Sequence, residues 1–463
     1  MKKVIAVFDI GKTNKKILLF DKDLQVVYQK EDKFPEIVDE DGCECDDIEK
    51  IETWLKDTLI SIIKEGEFDI CAVNFSTYGA SLAYIDAEGK RLTPIYNYLK
   101  PMPAGIVEPL YDSYGGQAEF SRQTASPALG MLNSGLQALW LKSKRPEVFA
   151  QVKSIVHFPQ YLSYLFTNAI TSEYTSIGCH TAMWDFDHMQ YHSWLKEEGI
   201  NLPAPVSNST MTEVELSGHK MYVGIGIHDS SASLVPYIKG SKEKFALIST
   251  GTWCINMNPF NYEPLTADQL SKDCLCFMSV TQNPVKSSRL FMGYIHEVNS
   301  DRFAEYFNVP KDSFKRVKLN EKMLVRLNDW SLGQRVFFKN GVPEDSVDKS
   351  VDLSLFDSYE EAYHQLMIDL TYLCIESLEL VLSKSDPVKN IFISGGFARN
   401  EIFVRLMATT YPDCNVFTSE VDNSSALGAA MVVWDAMKGE TIPGTDLGLN
   451  KWEPLTEITE VYK

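Results

Sequence analysis

One pattern occurs twice in this chain, and it limits what the chain can fold into. Near the start, Val4 to Phe8 is an unbroken apolar run, as in a strand buried on both faces, and it ends in Asp9-Ile10-Gly11-Lys12-Thr13-Asn14. Lys16 to Phe20 and Leu24 to Tyr28 follow across short polar turns, which predicts a hairpin and meander. Ile48, Ile51, Trp54, Leu55, Leu59 and Ile62 then recur at helical spacing between acids in a first turn and a stop at Gly66. Ile70 to Phe75 reads as a strand running into Ser76-Thr77-Tyr78-Gly79. The second half repeats the order. Phe245 to Ile248 leads into Ser249-Thr250-Gly251-Thr252, and Trp253 to Met257 returns as a second strand. Much later, Ser358-Tyr359-Glu360-Glu361 has capping-box form ahead of a helix with Ala362, Leu366, Leu370, Leu373, Leu378 and Val381 on one face. Ile391-Phe392-Ile393 ends in Ser394-Gly395-Gly396. Two such halves facing each other make a two-lobed α/β protein around a central cleft.

Length agrees, since 463 residues exceed what one core holds and predict two or more domains. The 63 acids against 44 bases leave a formal charge of −19, which argues against a nucleic-acid or anionic-membrane partner. No uninterrupted apolar run approaches the roughly 18 residues of a membrane span. The Met1-Lys2-Lys3 start resembles a signal peptide, but Asp9 cuts its apolar run, so a buried first strand is expected. Nine scattered cysteines read as reduced thiols in a cytoplasmic protein. The Cys43-Glu44-Cys45 and Cys274-Leu275-Cys276 pairs lack zinc-ligand spacing.

The turns carry the chemistry. Phosphates need backbone N–H donors with no side chain in the way, which glycine turns between strands provide, and threonine hydroxyls add donors. Asp9 to Thr13, or Gly251-Thr252, is weak evidence alone; at equivalent places in both halves, with Gly395-Gly396 at a strand end, they point together to a nucleotide. Val223-Gly224-Ile225-Gly226-Ile227 is small and apolar and presents His228-Asp229 before a helix starting at Ser230. Asp229 could simply cap that helix, or its carboxylate could take a proton from an alcohol during phosphoryl transfer. Lys12 lies outside any Walker pattern and reads equally as a solvated lysine. Trp140 and Trp253 read as core residues.

Asp9-Ile10-Gly11-Lys12-Thr13-Asn14, Gly226-Ile227-His228-Asp229, Ser249-Thr250-Gly251-Thr252-Trp253 and Ile393-Ser394-Gly395-Gly396-Phe397-Ala398-Arg399-Asn400 occur in that order. Gln137 to Lys142 and Ser424 to Ala430 support them. This ordered set resembles the FGGY family of carbohydrate kinases, built from two actin-like (ribonuclease H-like) ATPase domains. The resemblance implies a sugar-binding domain over residues 1–238, a nucleotide-binding domain over 239–463, and ATP with Mg²⁺ as donor and cofactor. It implies Asp229 as general base, Asp9 and Asp229 at the metal, and Gly11, Thr13, Gly251 and Thr252 near the phosphates. Gly395, Gly396 and Asn400 would lie against the adenosine.

On the sugar side the chain departs from the family's usual segments. Thr77-Tyr78-Gly79 stands closest to the rhamnulokinase-like Thr-Trp-Gly, and Tyr96-Asn97-Tyr98 replaces an arginine-rich segment. Ser76, Thr77, Tyr78, Asn97 and His228 are therefore the expected sugar contacts, with Tyr78 as an apolar wall for a terminal methyl. The favoured acceptor is L-fuculose or L-rhamnulose. A pentulose such as xylulose, and a non-catalytic actin-like sugar-binding or regulatory ATPase, stay open, as does a homodimer.

Overall fold

The computed structural model describes residues 1–331 and 334–456; the end of the 239–463 segment, from residue 457, lies outside the described residues. Two seven-stranded mixed sheets carry the chain. In the first, β1 (Lys2–Ile10), β2 (Lys15–Phe20) and β3 (Val26–Asp32) form the antiparallel meander. Helix α1 (Ile48–Glu65) leads to β4 (Phe68–Thr77), parallel to β1, while β5 (Met211–Leu216) and β6 (His219–Gly224) extend that side. The order is β5-β6-β4-β1-β2-β3, and Ile227–His228 pairs alongside β4.

The apolar run of β1 is buried on both faces. Val4, Ala6, Phe8 and Ile10 pack with α1, all six of whose expected apolar residues are buried. Ile5 and Val7 pack on the opposite face with α2 (Asp229–Gly240) and α5 (Ser424–Val432). Asp47 caps α1 by accepting from Lys50 N, and Gly66 ends it in the left-handed region at φ 70°.

The second sheet repeats the plan with β7 (Phe245–Thr250), β8 (Cys254–Asn258), β9 (Cys274–Met278) and β10 (Pro284–Leu290). Helix α3 (Tyr359–Glu379) precedes β11 (Asn390–Gly395); α4 (Glu401–Thr410), β12 (Asn415–Thr418), α5 and β13 (Asn450–Trp452) complete it. Its order is β9-β10-β8-β7-β11-β12-β13, with β7–β8 antiparallel and β7–β11 parallel, as in the first half. Helix α5 comes from the second half of the sequence yet packs on α2 and on β1 of the first sheet. At that crossing a Cβ on Gly428 would fall 1.9 Å from the Ala232 carbonyl oxygen, so glycine sets the closeness of the halves.

Local expectations shift in four places. The third strand starts at Val26, not Leu24, because Asp21 Oδ1 accepts from Asp23 N and Gln25 N and holds Leu24 in a turn. Ser76-Thr77 and Ser249-Thr250 belong to strands instead of turns, since the parallel pairings run to Ile10–Thr77 and Thr250–Gly395. Ser358 caps α3 by accepting from Glu361 N, but the Glu361 carboxylate reaches back to Asp357 N, one residue short of a reciprocal box. Trp140 is core, as expected, whereas Trp253 is 44% exposed and stacks on Phe291 at 4.4 Å, so its expected burial is corrected.

Candidate active site

Parallel pairing places Asp9 beside Ser76 at the ends of β1 and β4, and Ile227–His228 beside Ser76–Thr77. Asp229, the next residue, opens α2. Its side chain is 37% exposed, and its Oδ1 accepts from Ser230 N at 2.6 Å. Asp9 Oδ2 accepts from Ser425 Oγ of α5 at 3.1 Å. Enclosure by protein pushes the Asp229 carboxyl up to about 6, against the Ser230 hydrogen bonds. Burial, and next the charge of Asp229, push Asp9 up to about 6 as well, offset in part by the Ser425 and Ser76 hydroxyls and by Lys16. Two carboxylates that each resist ionisation invite a cation. A pair of carboxylates is an oxygen donor set that would suit a hard divalent cation such as Mg²⁺.

His228 is buried, and that burial lowers it to about 4, so the ring is neutral near pH 7. Ser231 Oγ donates its single hydrogen to the Met278 carbonyl at 2.7 Å. His228 Nδ1, 3.2 Å from that Oγ, is therefore the donor to it. The Nε2 lone pair is left facing Asp229 Oδ1 at 3.2 Å. The ring also backs Gly79, where a Cβ would come within 2.8 Å of His228 Cδ2 and 2.9 Å of Cys179 Sγ.

The other expected sugar contacts are more occupied than the sequence suggests. Ser76 and Thr77 are fully buried, and Thr77 Oγ1 donates to the Tyr78 carbonyl at 3.0 Å. Tyr78 packs against Phe158 and Tyr98 and donates its hydroxyl to Asp46 Oδ2 at 2.7 Å. Asn97 Nδ2 donates to the Glu44 carbonyl at 2.9 Å, and its Oδ1 accepts from Leu99 N at 3.0 Å. Thr77, Tyr78 and Asn97 thus brace the sugar-side turn, and their polar atoms are not brought to a common open surface. Tyr98, which feels the charges of Lys12 and Asp229, and Asp46 were not singled out from sequence. Their only sequence signals are an aromatic beside Asn97 and one acid among many.

On the phosphate side, Gly11 N donates to the Asn14 carbonyl at 3.0 Å and closes a tight turn that leaves Thr13 exposed. In the equivalent turn Gly251 N donates to the Trp253 carbonyl at 2.8 Å, and Thr252 is exposed. Gly395 has φ +85°, and a Cβ there would lie 1.8 Å from the Thr250 carbonyl oxygen; a Cβ on Gly396 meets nothing within 4 Å. Gly251, Gly396 and Asn400 line one cavity of about 630 Å³ with His296, Phe314 and Tyr363. Asn400 Oδ1 caps α4 by accepting from Ile402 N and Phe403 N, and its Nδ2 donates to Tyr363 Oη at 3.0 Å. His296 and Phe314 come from the excursion between β10 and α3, where no glycine motif marks them. The cavity has the size and aromatic lining of a small-molecule site, and its glycine floor leaves room for a ligand against backbone.

Residues 4–225 match the N-terminal domain of the FGGY family of carbohydrate kinases, and residues 242–298 match the FGGY carbohydrate kinase C-terminal domain. A rhamnulokinase from Halalkalibacterium halodurans is 22% identical over 448 residues, 92% of this chain and 90% of that protein. A carbohydrate kinase structure from Novosphingobium aromaticivorans superposes with a TM-score of 0.77 at 23% identity, covering 97% of this chain and 96% of that one. A ligand-bound xylulose kinase from Lactobacillus acidophilus superposes at 0.78 with 15% identity, over 98% of this chain and 94% of that one. The two domain matches together span more than half of the sequence, in order and on the fold that the family shares: the chain belongs to the FGGY family of carbohydrate kinases and is a sugar phosphotransferase.

Proposed function

We propose that the protein transfers the γ-phosphoryl group of ATP to the terminal hydroxyl of a ketose, with L-rhamnulose or L-fuculose the favoured acceptors. Residues 1–238 would hold the sugar and 239–463 the nucleotide, the division falling in the last turn of α2. Asp229 is the observation that carries the reading. It is a carboxylate at a strand-to-helix junction, open on one side, raised to about 6 and backed by a neutral histidine. As the sugar oxygen bonds to phosphorus and the bond to the ADP oxygen breaks, the hydroxyl proton passes to an Asp229 Oδ. His228 Nε2 offers that carboxyl a lone pair on its other side.

Asp9 and Asp229 would hold Mg²⁺, which supplies charge neutralisation at the outer phosphates. Gly11, Thr13, Gly251 and Thr252 would face the phosphates, with Gly395, Gly396 and Asn400 along the adenosine. Thr77, Tyr78 and Asn97 would shape the acceptor site by bracing it, with Ser76 buried beside Asp9 at the strand end. Nine free thiols suit a cytoplasmic setting. The rhamnulokinase relative supports a 6-deoxy ketohexose, while the likeness to a xylulose kinase structure keeps a pentulose as the second reading.

The test is ADP release with Mg-ATP across L-rhamnulose, L-fuculose, D-xylulose, aldoses and polyols. Stimulation by one of the first two, with D-xylulose at least about 10-fold poorer in kcat/KM, is expected. Preference for D-xylulose overturns the choice of acceptor. Hydrolysis indifferent to every sugar overturns the reading as a ketose kinase.

A further inference from the structure

One buried carboxylate joins the two turns that would meet the two substrates. Asp46 is 3% exposed and lies just before the cap of α1, which fixes it against the first sheet. Its Oδ1 accepts from Lys15 Nζ at 2.7 Å, and Lys15 is itself only 1% exposed. The same Lys15 ammonium donates to the Lys12 carbonyl at 2.9 Å, inside the Gly11–Asn14 turn. Asp46 Oδ2 accepts from Tyr78 Oη at 2.7 Å, and Lys12 Nζ, which also pairs with Glu36, stands 3.7 Å from that oxygen. Tyr78 N donates to the Ile10 carbonyl at 3.2 Å, so the two turns adjoin in the backbone as well.

A buried ion pair contributes little net stability compared with apolar residues of the same volume, because desolvation offsets attraction. What it does provide is geometry. With Lys15 on one oxygen and Tyr78 on the other, Asp46 cannot follow one turn without moving the other. Tyr98, stacked edge-on to Tyr78 at 5.7 Å and feeling the charge of Asp229, carries the network to the acceptor side.

We propose that Asp46 is a positioning residue that couples sugar binding at the Tyr78–Gly79 turn to nucleotide binding at the Gly11–Asn14 turn. The inference rests on the reading of those turns given under Proposed function. Because Tyr78, Asp46 and Lys15 are braced into one unit, a ketose that settles against the sugar-side turn and shifts Tyr78 shifts the carbonyl of Lys12 and its turn with it. Binding of one substrate then tightens binding of the other, by the same factor in both directions.

The experiment titrates a non-hydrolysable ATP analogue with Mg²⁺ into the full-length protein, with and without the ketose that best stimulates ADP release. The wild-type protein, Tyr78→Phe and Asp46→Asn are compared. In the wild type the sugar should tighten the analogue roughly 10-fold, and in both variants this factor should fall below about 2. A purely structural role would lower the thermal midpoint and leave the factor unchanged. Tyr78→Phe removes a single hydroxyl from a ring that stays packed, so it carries the test alone if Asp46→Asn does not fold. A wild-type-sized factor in Tyr78→Phe overturns the proposal, as does a wild-type factor near 1. Sugar-stimulated turnover with coupling intact in the variants overturns this inference alone, whereas no stimulation by any ketose overturns the kinase reading and the coupling with it.

Discussion

The ends of β4 and β11 occupy the same place in the two halves, each parallel to the first strand of its sheet, yet they are finished in opposite ways. After β4 the chain is filled. Ser76 and Thr77 are fully buried, Thr77 spends its hydroxyl on the Tyr78 carbonyl, and Tyr78 is pinned to Asp46. After β11 the chain is emptied: Gly395 presses its backbone against Thr250, and Gly396 opens onto a cavity of about 630 Å³. On the assignment proposed above, a small acceptor that must be told from its epimers would be served by a rigid, hydrogen-bonded end, because misplacement of the reacting oxygen by about 1 Å can cost about 10²-fold in rate. A nucleotide is larger, and it is served by removing side chains so that backbone can lie against it. On that proposal one topology supports two kinds of site, and the difference lies in residues at two strand ends.

Asp229→Asn keeps the shape of both ends but removes the proton acceptor, so kcat should fall about 10²–10⁴-fold in an ADP-release assay. Gly395→Ala should disturb the nucleotide end alone. Its φ of +85° and the 1.8 Å approach to the Thr250 oxygen force the backbone to move. ATP affinity by titration calorimetry should fall about 10- to 100-fold while sugar affinity stays within about 2-fold. Equal losses for both ligands would dissolve the distinction between the ends.

Acidification tests the carboxylate itself. Asp229 accepts a proton only when ionised, and its raised value means that it is protonated below about 6. The kcat/KM of the wild-type enzyme should therefore be flat well above that pH and fall with decreasing pH, by about tenfold per unit for Asp229 alone and more steeply as Asp9, also raised to about 6, is protonated with it. The smallest effect is expected at Asn97. Its amide is spent on Glu44 and Leu99, so Asn97→Ala should raise sugar KM only about 3-fold and leave ATP KM unchanged.

Much of this was legible in the sequence because it rests on local rules. The fully apolar Val4–Phe8, the helical spacing from Ile48 to Ile62 and the repeated glycine turns each dictate an element, and their recurrence dictates the two-lobed plan. Gly251, Gly396 and Asn400 could be grouped from motifs alone, and they line one cavity. What was not legible depends on partners distant in sequence. Tyr78 reads as a free aromatic wall until Asp46, 32 residues away, takes its hydroxyl, and Asn97 reads as a free amide until the Glu44 carbonyl, 53 residues away, takes it. His296, Phe314 and Tyr363 carry no spacing signal, because a cavity wall requires only bulk arriving from the right direction. The crossing of α5 onto the first sheet was hidden for a related reason. A division by sequence order does not reveal a helix of the second half that packs beside β1.

Asp229 is tested most directly by measuring turnover and binding on the same preparation of Asp229→Asn. ATP and the stimulating ketose should each bind within about 3-fold of wild type, while sugar-dependent ADP release falls by at least about 10². Turnover within a few-fold of wild type would contradict the role of Asp229 as the base, and with it the reading of this strand-to-helix junction as the centre of phosphoryl transfer.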